Sequence, residues 1–320
     1  MNFSAEERVL IRGDYVAQPE SLQGWYPVLL RENALWWRFL GEKKFSEPFF
    51  YYTLSGLPSE RRFYCRTSFA ALREFKNPLT LAAFVFHVSR CGSTLLTQLL
   101  STLSSCSVLS EPPVLDSFLR FYHSTPCQDG VEMLRQIVGA LAQKRFADER
   151  HFVVKLDSWH ISSLPLFRKA YPEVPFIFIY RRPGEVMASH KKQRGRQMVP
   201  GLVNAAMPGF EAGELAPGDL DGYCERVLEH FFAESLRHEN ELIFMNYTQL
   251  PGVVWNELLD FLSIDASEEE IKAMQLRAGS HSKNGGKFFA DAEAPVSEKC
   301  DPYYQKLEKL RLEQGFLSTK

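Results

Sequence analysis

From about residue 79 the chain alternates short runs of consecutive apolar residues with longer stretches whose apolar positions recur every three to four residues. The short runs predict strands at 82–88, 106–109, 151–156, 175–180 and 241–245. The longer stretches predict helices at 93–104, 114–123, 130–147, 160–171, 184–193, 220–238, 252–262 and 268–277, with a last one from about 302 to 313. Strand alternating with helix is the pattern of an α/β protein, a parallel sheet whose crossover helices flank it. Residues 1–78 differ. They are rich in aromatics (Trp25, Trp36, Trp37, Phe49, Phe50, Tyr51, Tyr52) and show no clean alternation. They are expected to form a mainly helical extension packed on a 79–320 core. Their aromatics have two readings, plain core packing or the wall of a substrate pocket. Residues 194–219 hold three prolines without clear periodicity, so they read equally as a lid or as partly disordered. A second irregular stretch, 279–297, contains the pair Gly285-Gly286.

Composition narrows the class only a little. The 320 residues are 45% hydrophobic and 24% charged, ordinary for a globular protein with a large core. A formal net charge of −2 supplies no global attraction to nucleic acid or membrane, so any affinity for an anion has to come from a local patch. Six cysteines without a CxxC pair argue against a zinc site or a disulfide framework, and no metal is expected. The first residues carry charges where a signal peptide needs an apolar run. The longest apolar stretch, Leu79 to Val88, is too short to span a bilayer. A soluble cytoplasmic protein is the expectation, with no nucleic acid and no membrane span.

The chemistry concentrates first in residues 84–100. An apolar strand (Phe84, Val85, Phe86, Val88) enters a Ser89-Arg90-Cys91-Gly92-Ser93-Thr94 turn, and an amphipathic helix (Leu95, Leu96, Leu99, Leu100) leaves it. Strand, small polar loop and helix N-terminus together make an anion cradle of the P-loop type. The nucleotide-binding pattern GxxxxGK[ST] needs Lys after Gly92, and Ser93 stands there instead. The loop suits an anion, but not the usual ATP or GTP γ-phosphate chemistry. A Cys-x5-Arg phosphatase loop is excluded too, because Thr97 occupies the Arg position. Cys91, beside a helix N-terminus, is expected to have a lowered thiol pKa.

The second signature is 175–192. A buried-type strand (Phe176 to Ile179) ends in Arg181-Arg182-Pro183, and Ser189 follows about two turns into the next helix. Ligands of open α/β sheets sit at the C-terminal ends of strands, where both signatures fall. Two anion sites in one crevice fit a ligand with two separated phosphate-like groups. At this point the chain resembles the sulfotransferases that use 3′-phosphoadenosine 5′-phosphosulfate (PAPS). Ser89-Arg90-Cys91-Gly92-Ser93-Thr94-Leu95 is similar to that family's P-R-S-G-T-T-L loop, and Arg181-Arg182-Pro183 with Ser189 to its R-D-P…S motif. Val153-Val154-Lys155 is similar to the family's strand ending in Lys. Phe244 to Leu250, followed by Phe261-Leu262-Ser263, is similar to its downstream block. The likeness runs over about 82–265 with the order and spacing of all four blocks kept. Ser89, Cys91, Arg182 and Gln249 depart from the family's residues.

The resemblance implies sulfuryl transfer from PAPS to a hydroxyl or amine, with Cys91, Gly92, Ser93, Thr94 and Leu95 around the 5′-phosphate. It places Lys155 at the leaving phosphate and Arg90 by the sulfuryl group. Arg181 and Ser189 would hold the 3′-phosphate, and Lys283, by position, would cover it from the 279–297 loop. Glu111 matches the base of the family's carboxylate members. His160 is the competing base, since other members use His. The acceptor could be a small molecule, carbohydrate, lipid or peptide. Two other readings stay open: a P-loop small-molecule kinase, for which Asp157 could serve a metal–nucleotide, and a non-catalytic nucleotide-binding protein. His87, on the apolar strand, reads as a core histidine.

Overall fold

The computed structural model describes residues 3–76, 78–125, 129–203, 206–279 and 297–315. The N-terminal part begins with helix α1 (Ala5–Leu10) and strands β1 (Asp14–Tyr15), β2 (Trp25–Arg31) and β3 (Ala34–Phe39). Helix α2 (Phe50–Ser55) and strand β4 (Phe63–Thr67) follow. The rest carries β5 (Thr80–His87), α3 (Ser93–Leu100), β6 (Cys106–Ser110), α4 (Pro113–Ser124), α5 (Gly130–Leu141), β7 (His151–Lys155) and α6 (Leu164–Ala170). It continues with β8 (Phe176–Tyr180), α7 (Pro183–Lys192), α8 (Leu220–Arg237), β9 (Ile243–Asn246), α9 (Leu259–Phe261), α10 (Glu268–Ala278) and α11 (Asp301–Gln314).

Five strands form a wholly parallel sheet in the order β6-β7-β5-β8-β9. This is the expected α/β class, with each predicted strand present within about two residues at either end. Parallel strands are covered on both faces and therefore read as unbroken apolar runs. β8 is buried throughout, and Phe84, Phe86, Phe167 and Phe176 meet edge-on or tilted on one side of the sheet. The predicted 252–262 helix is an irregular piece: a π-helical turn at Val254–Leu258 runs into the short α9. The predicted 160–171 helix is likewise split, into a 3₁₀ stretch at Ser158–Ser163 and α6.

The mainly helical extension expected for 1–78 is corrected. This segment holds a four-stranded sheet in the order β1-β4-β3-β2, with only short helices around it. The alternation that would have marked the sheet is missing because six of the seven β2 residues and five of the six β3 residues are buried, on both faces. The β2–β3 hairpin turns on Glu32 and Asn33, both left-handed (φ 51° and 58°). A two-residue turn of this kind is usually announced by Asn-Gly or Asp-Gly, and Glu-Asn does not announce it.

β2 is an edge strand, and the core covers it. Leu30 N–H donates to Ser117 Oγ of α4 at 2.9 Å. Just past α5, the buried Gln143 amide donates to the Trp25 carbonyl at 2.6 Å and accepts from Gly24 N–H at 2.9 Å. These bonds satisfy backbone groups that an uncovered edge would leave open. Among the described residues no helix is long and apolar enough to cross a membrane.

The hairpin can be tested at Glu32. A left-handed Glu costs about 1 kcal/mol that Asn largely avoids. Glu32→Asn is therefore expected to raise stability by ~0.5–1 kcal/mol in chemical denaturation. An unchanged or lower midpoint would contradict the turn assignment.

Candidate active site

The site lies at the C-terminal ends of β5, β6 and β7. β5 ends in the loop Val88 to Gly92, where Ser89, Arg90 and Gly92 are all left-handed (φ 70°, 51° and 85°). Such residues turn successive backbone N–H groups to one side, the geometry of an anion nest. α3 starts at Ser93, so its N-terminal N–H groups continue the nest and carry the positive end of the helix dipole. Gly92 is required on two counts. Its φ is positive, and a Cβ there would lie 2.7 Å from Leu250 Cδ1 and 2.8 Å from Tyr247 Cδ2. The loop is thus seated on the segment after β9.

The cation comes from the neighbouring strand. Lys155 ends β7 and is fully buried, yet its Nζ reaches Glu111 Oε1 at 2.8 Å and Thr94 Oγ1 at 3.3 Å. Nζ also sits 4.5 Å from the centroid of the Phe49 ring, which the N-terminal part contributes. Glu111 follows β6 in a left-handed conformation (φ 56°) that is uncommon for Glu. Its N–H donates to the Lys155 carbonyl at 2.7 Å. The backbone bond and the ion pair together fix Glu111 over the end of β7. Burial alone would raise the Glu111 pKa, but the Lys155 ammonium and the nearby His87 outweigh it and hold the carboxyl at about 2.

His87 is a satisfied core histidine. Its Nδ1 accepts from Ser89 N–H at 2.9 Å, so Nε2 carries the proton and donates to the Leu156 carbonyl at 2.9 Å. Burial, with Lys155 nearby, lowers its pKa and keeps it neutral. Cys91 corrects the expectation of a lowered thiol pKa. The thiol is buried and donates to the Ile179 carbonyl at 3.1 Å, and burial pushes it up to about 11.

These groups open into a cavity of about 840 Å³. Ser89, Arg90, Ser93, Thr94, Lys155 and Glu111 form its anion end. Asp116, Arg120, Asp157 and Trp159 line it further along, and Phe49, Tyr51, Tyr52 and residues of α1 border it from the N-terminal part. Of the 194–219 stretch, Arg194, Gly195, Arg196, Gln197 and Leu202 border the cavity. Arg196 meets Glu6 of α1 at 2.8 Å, while the guanidinium of Arg90 donates to the Gln193 carbonyl at 2.6 Å.

The other expected residues are placed less simply. His160 is buried and does not line the cavity. Its Nε2 faces Asp116 Oδ1 at 3.4 Å and Asp157 Oδ2 at 3.7 Å, which makes it a support behind two carboxylates. Arg181 follows β8, stacks on Tyr247 at 4.3 Å and pairs with Glu185 at 2.6 Å, and its Nη1 lies 3.5 Å from the Arg90 carbonyl. Neither Arg181 nor the half-buried Ser189 borders the cavity. Leu95 is half-buried on α3. Lys283 lies outside the described residues.

Asp116 had no signal in the sequence, Asp157 stood there only as a candidate for a metal–nucleotide, and Phe49 only among the aromatics of a pocket wall. Asp116 sits on α4, where Trp159 Nε1 donates to it at 2.6 Å and Arg120 pairs with it at 2.8 Å. Although burial opposes ionisation, His160 and Arg120 hold it well below the ordinary carboxylate range. Asp157, two residues past Lys155, is pushed the other way. Burial, reinforced by the Glu111 and Asp116 charges, raises it well above that range. Phe49 comes from a segment with no motif. The spacing Lys155-x-Asp157 was the one available clue to Asp157, since a strand end carries both residues to the same edge.

No family model matches the chain, and no curated protein matches it. Solved structures do. The chain is similar to the sulfotransferase STF9 from Mycobacterium avium, with 12% identity over 77% of this chain and 78% of that one, at a TM-score of 0.48. It is similar to the sulfotransferase domain from the curacin biosynthetic pathway, with 15% identity over 72% of this chain and 99% of that one, at a TM-score of 0.45. It is also similar to the sulfotransferase STF1 from Mycobacterium tuberculosis H37Rv, with 16% identity over 74% of this chain and 79% of that one, at a TM-score of 0.43.

The ion pair gives a pH prediction. Glu111 has its pKa depressed from 4.5 to about 2, so its contribution to stability is full above pH 4.5 and is lost as pH falls toward 2. Glu111→Gln leaves Lys155 as an uncompensated buried charge and is expected to cost ~2 kcal/mol or more at pH 7. The gap between wild type and variant should narrow on acidification from pH 5 to 3. A gap that stays constant or widens would show that the pair is not formed in the folded chain.

Proposed function

We propose that this chain is a sulfotransferase that moves a sulfuryl group from PAPS to a hydroxyl or amine acceptor. The observation that carries the reading is the placement of Lys155. An anion nest without its own Lys has a buried ammonium delivered to it by the adjacent strand, 3.3 Å from Thr94 Oγ1. Backbone N–H groups of Cys91 to Thr94 and the hydroxyls of Ser93 and Thr94 would hold the 5′-phosphate. Lys155 would donate to the oxygen that bridges phosphorus and sulfur, and so stabilise the charge that grows there as the S–O bond breaks. Arg90 would face the sulfuryl oxygens.

Glu111 is the proposed base. At rest it is an ionised acceptor held by Lys155, and at a pKa of about 2 it is too weak to take a proton from an alcohol. An anionic donor in the nest draws the ammonium toward itself. That withdraws the main charge holding the Glu111 pKa down and leaves the carboxylate available to an acceptor in the same cavity. One ion pair thus couples donor binding to base strength. His160, shielded from the cavity, is better suited to positioning Asp116 and Asp157. Arg181 and Ser189, with Lys283, are proposed to bind the 3′-phosphate, and residues 194–219 to act as a lid over the cavity.

Ligand-dependent thermal unfolding tests the donor. At a hundredfold excess over its dissociation constant a ligand adds about 2.7 kcal/mol of stability. 3′,5′-Adenosine bisphosphate is expected to raise the midpoint by several degrees without metal, and Lys155→Met to abolish most of that rise. Stabilisation by ATP with Mg²⁺ and none by the bisphosphate would favour a kinase and discard this reading.

A further inference from the structure

The carboxylates that line the main cavity are answered by cations of the chain, with one exception. Glu111 pairs with Lys155, Asp116 with Arg120, Glu6 with Arg196 and Glu7 with Arg31, each at 2.8 Å. Asp157 has no such partner. The nearest group is His160 Nε2, 3.7 Å from Asp157 Oδ2 and closer to Asp116 Oδ1, at 3.4 Å. Among the described residues the Asp157 carboxyl makes no hydrogen bond. It is nevertheless within reach of a ligand. Asp157 is 9% exposed, its side chain 12%, and it lines the cavity. The cations along the same wall are already engaged: Arg194 with Asp221 at 2.6 Å, and Arg90 with the Gln193 carbonyl at 2.6 Å.

A polar group buried without a partner is costly, and a ligand that supplies the partner removes the cost. The field at Asp157 says which kind of ligand group that is. Burial opposes its ionisation, the Glu111 and Asp116 charges add to that, and Lys155 and Arg196 do not compensate, so its pKa is raised well above the ordinary carboxylate range. Local potential there is negative, and a cation answers it. A neutral hydroxyl would take a hydrogen bond and leave the field unanswered. An anion would meet two carboxylates that their partners keep ionised. Phe49, Tyr51 and Trp159 line the same cavity, and aromatic faces attract an ammonium, more strongly where water is excluded.

We propose that Asp157 anchors an alkylammonium group of the acceptor, which, resting on the sulfotransferase reading above, makes the substrate class an alcohol or phenol that also carries an amine. The ammonium end lies at Asp157 and the hydroxyl end points along the wall toward Glu111 and the β5–α3 loop. Asp157 follows Lys155 by two residues, so anchor and anion nest share one edge of the sheet. Donor binding strengthens the preference, because it draws Lys155 to the loop and adds anionic charge to the cavity. Binding of the ammonium favours the ionised carboxyl, and the proton of Asp157 leaves to solvent. Glu111 after β6, Asp116 on α4, Lys155 on β7, His160 beyond β7 and Arg196 of the 194–219 stretch are the charged and titratable groups around it.

The test is titration calorimetry on the full chain, with and without 3′,5′-adenosine bisphosphate, using three phenols of similar size. Tyramine carries an ammonium, 4-hydroxyphenethyl alcohol is neutral and 3-(4-hydroxyphenyl)propionate is anionic. Tyramine is expected to bind at least tenfold tighter than the neutral phenol, and the anionic one weakest. This comparison needs no variant. Asp157→Asn, which breaks no hydrogen bond, is expected to weaken tyramine at least tenfold, to leave the neutral phenol unchanged and to keep the thermal shift given by the bisphosphate. Titrations at pH 7 in buffers of different ionisation enthalpy should show proton release with tyramine in the wild type and none in Asp157→Asn. An Asp157-dependent preference for tyramine in a chain that ignores the bisphosphate would uphold the ammonium site and remove the donor reading. Equal binding of tyramine and the neutral phenol, tighter binding of the anionic one, no binding of any of the three, or a tyramine affinity unchanged in Asp157→Asn would overturn the proposal, whether or not the bisphosphate binds.

Discussion

The buried ammonium of Lys155 is the constraint on which the rest of the site depends. A charge taken out of water must be met by an opposite charge and by acceptors, or the chain does not tolerate it. Glu111 supplies the charge, Thr94 the acceptor and Phe49 an aromatic face. Each comes from a different part of the chain. They meet because β7 lies between β6 and β5 in register, with Lys155 opposite Ser110 on one side and Val85 on the other. The parallel sheet thus brings three strand ends to one edge, and the Lys joins them electrostatically. The left-handed backbone of Glu111 is the local cost of that convergence, and it falls at a group the proposed chemistry needs.

The N-terminal sheet belongs to the same arrangement. Its edge strand is sealed by Ser117 and Gln143, and its helices close one side of the cavity with Phe49, Tyr51 and Tyr52. Charges of both signs line the cavity. Arg90 and Lys155 stand at the anion nest, with Asp116 and Asp157 beyond them. Two carboxylates driven in opposite directions, one kept ionised by His160 and Arg120 and the other pushed toward neutrality, differ in their readiness to give or take a proton. That difference is a property of packing, since both side chains are the same.

Much of the core was legible in the sequence. The buried strands announce themselves as unbroken apolar runs such as Phe176 to Ile179, and Gly92 marks the tight turn after β5. The meeting of Lys155 with the loop was legible only through order and spacing of motifs, because 61 residues separate Lys155 from Thr94. The N-terminal sheet was not legible. β2 and β3 bury both faces, so period-two alternation never appears, and their turn uses Glu32-Asn33 where Asn-Gly would have given it away. The chemistry of Cys91 was misread for a related reason. Proximity to a helix N-terminus argues for a low thiol pKa, but the side chain turns inward to the Ile179 carbonyl and burial decides the outcome. Arg181 was placed correctly at a strand end, while its stacking on Tyr247 and pairing with Glu185 depend on neighbours that no local pattern specifies.

The central claim is that Lys155 belongs to a ligand anion in the β5–α3 loop and is lent to Glu111 in its absence. A crystal structure with 3′,5′-adenosine bisphosphate tests this most directly. The account predicts the 5′-phosphate against the N–H groups of Cys91 to Thr94, with Lys155 Nζ at about 3 Å from a phosphate oxygen and withdrawn from Glu111. A 5′-phosphate bound away from the loop, or held in it with the Lys155–Glu111 pair unchanged, would contradict it.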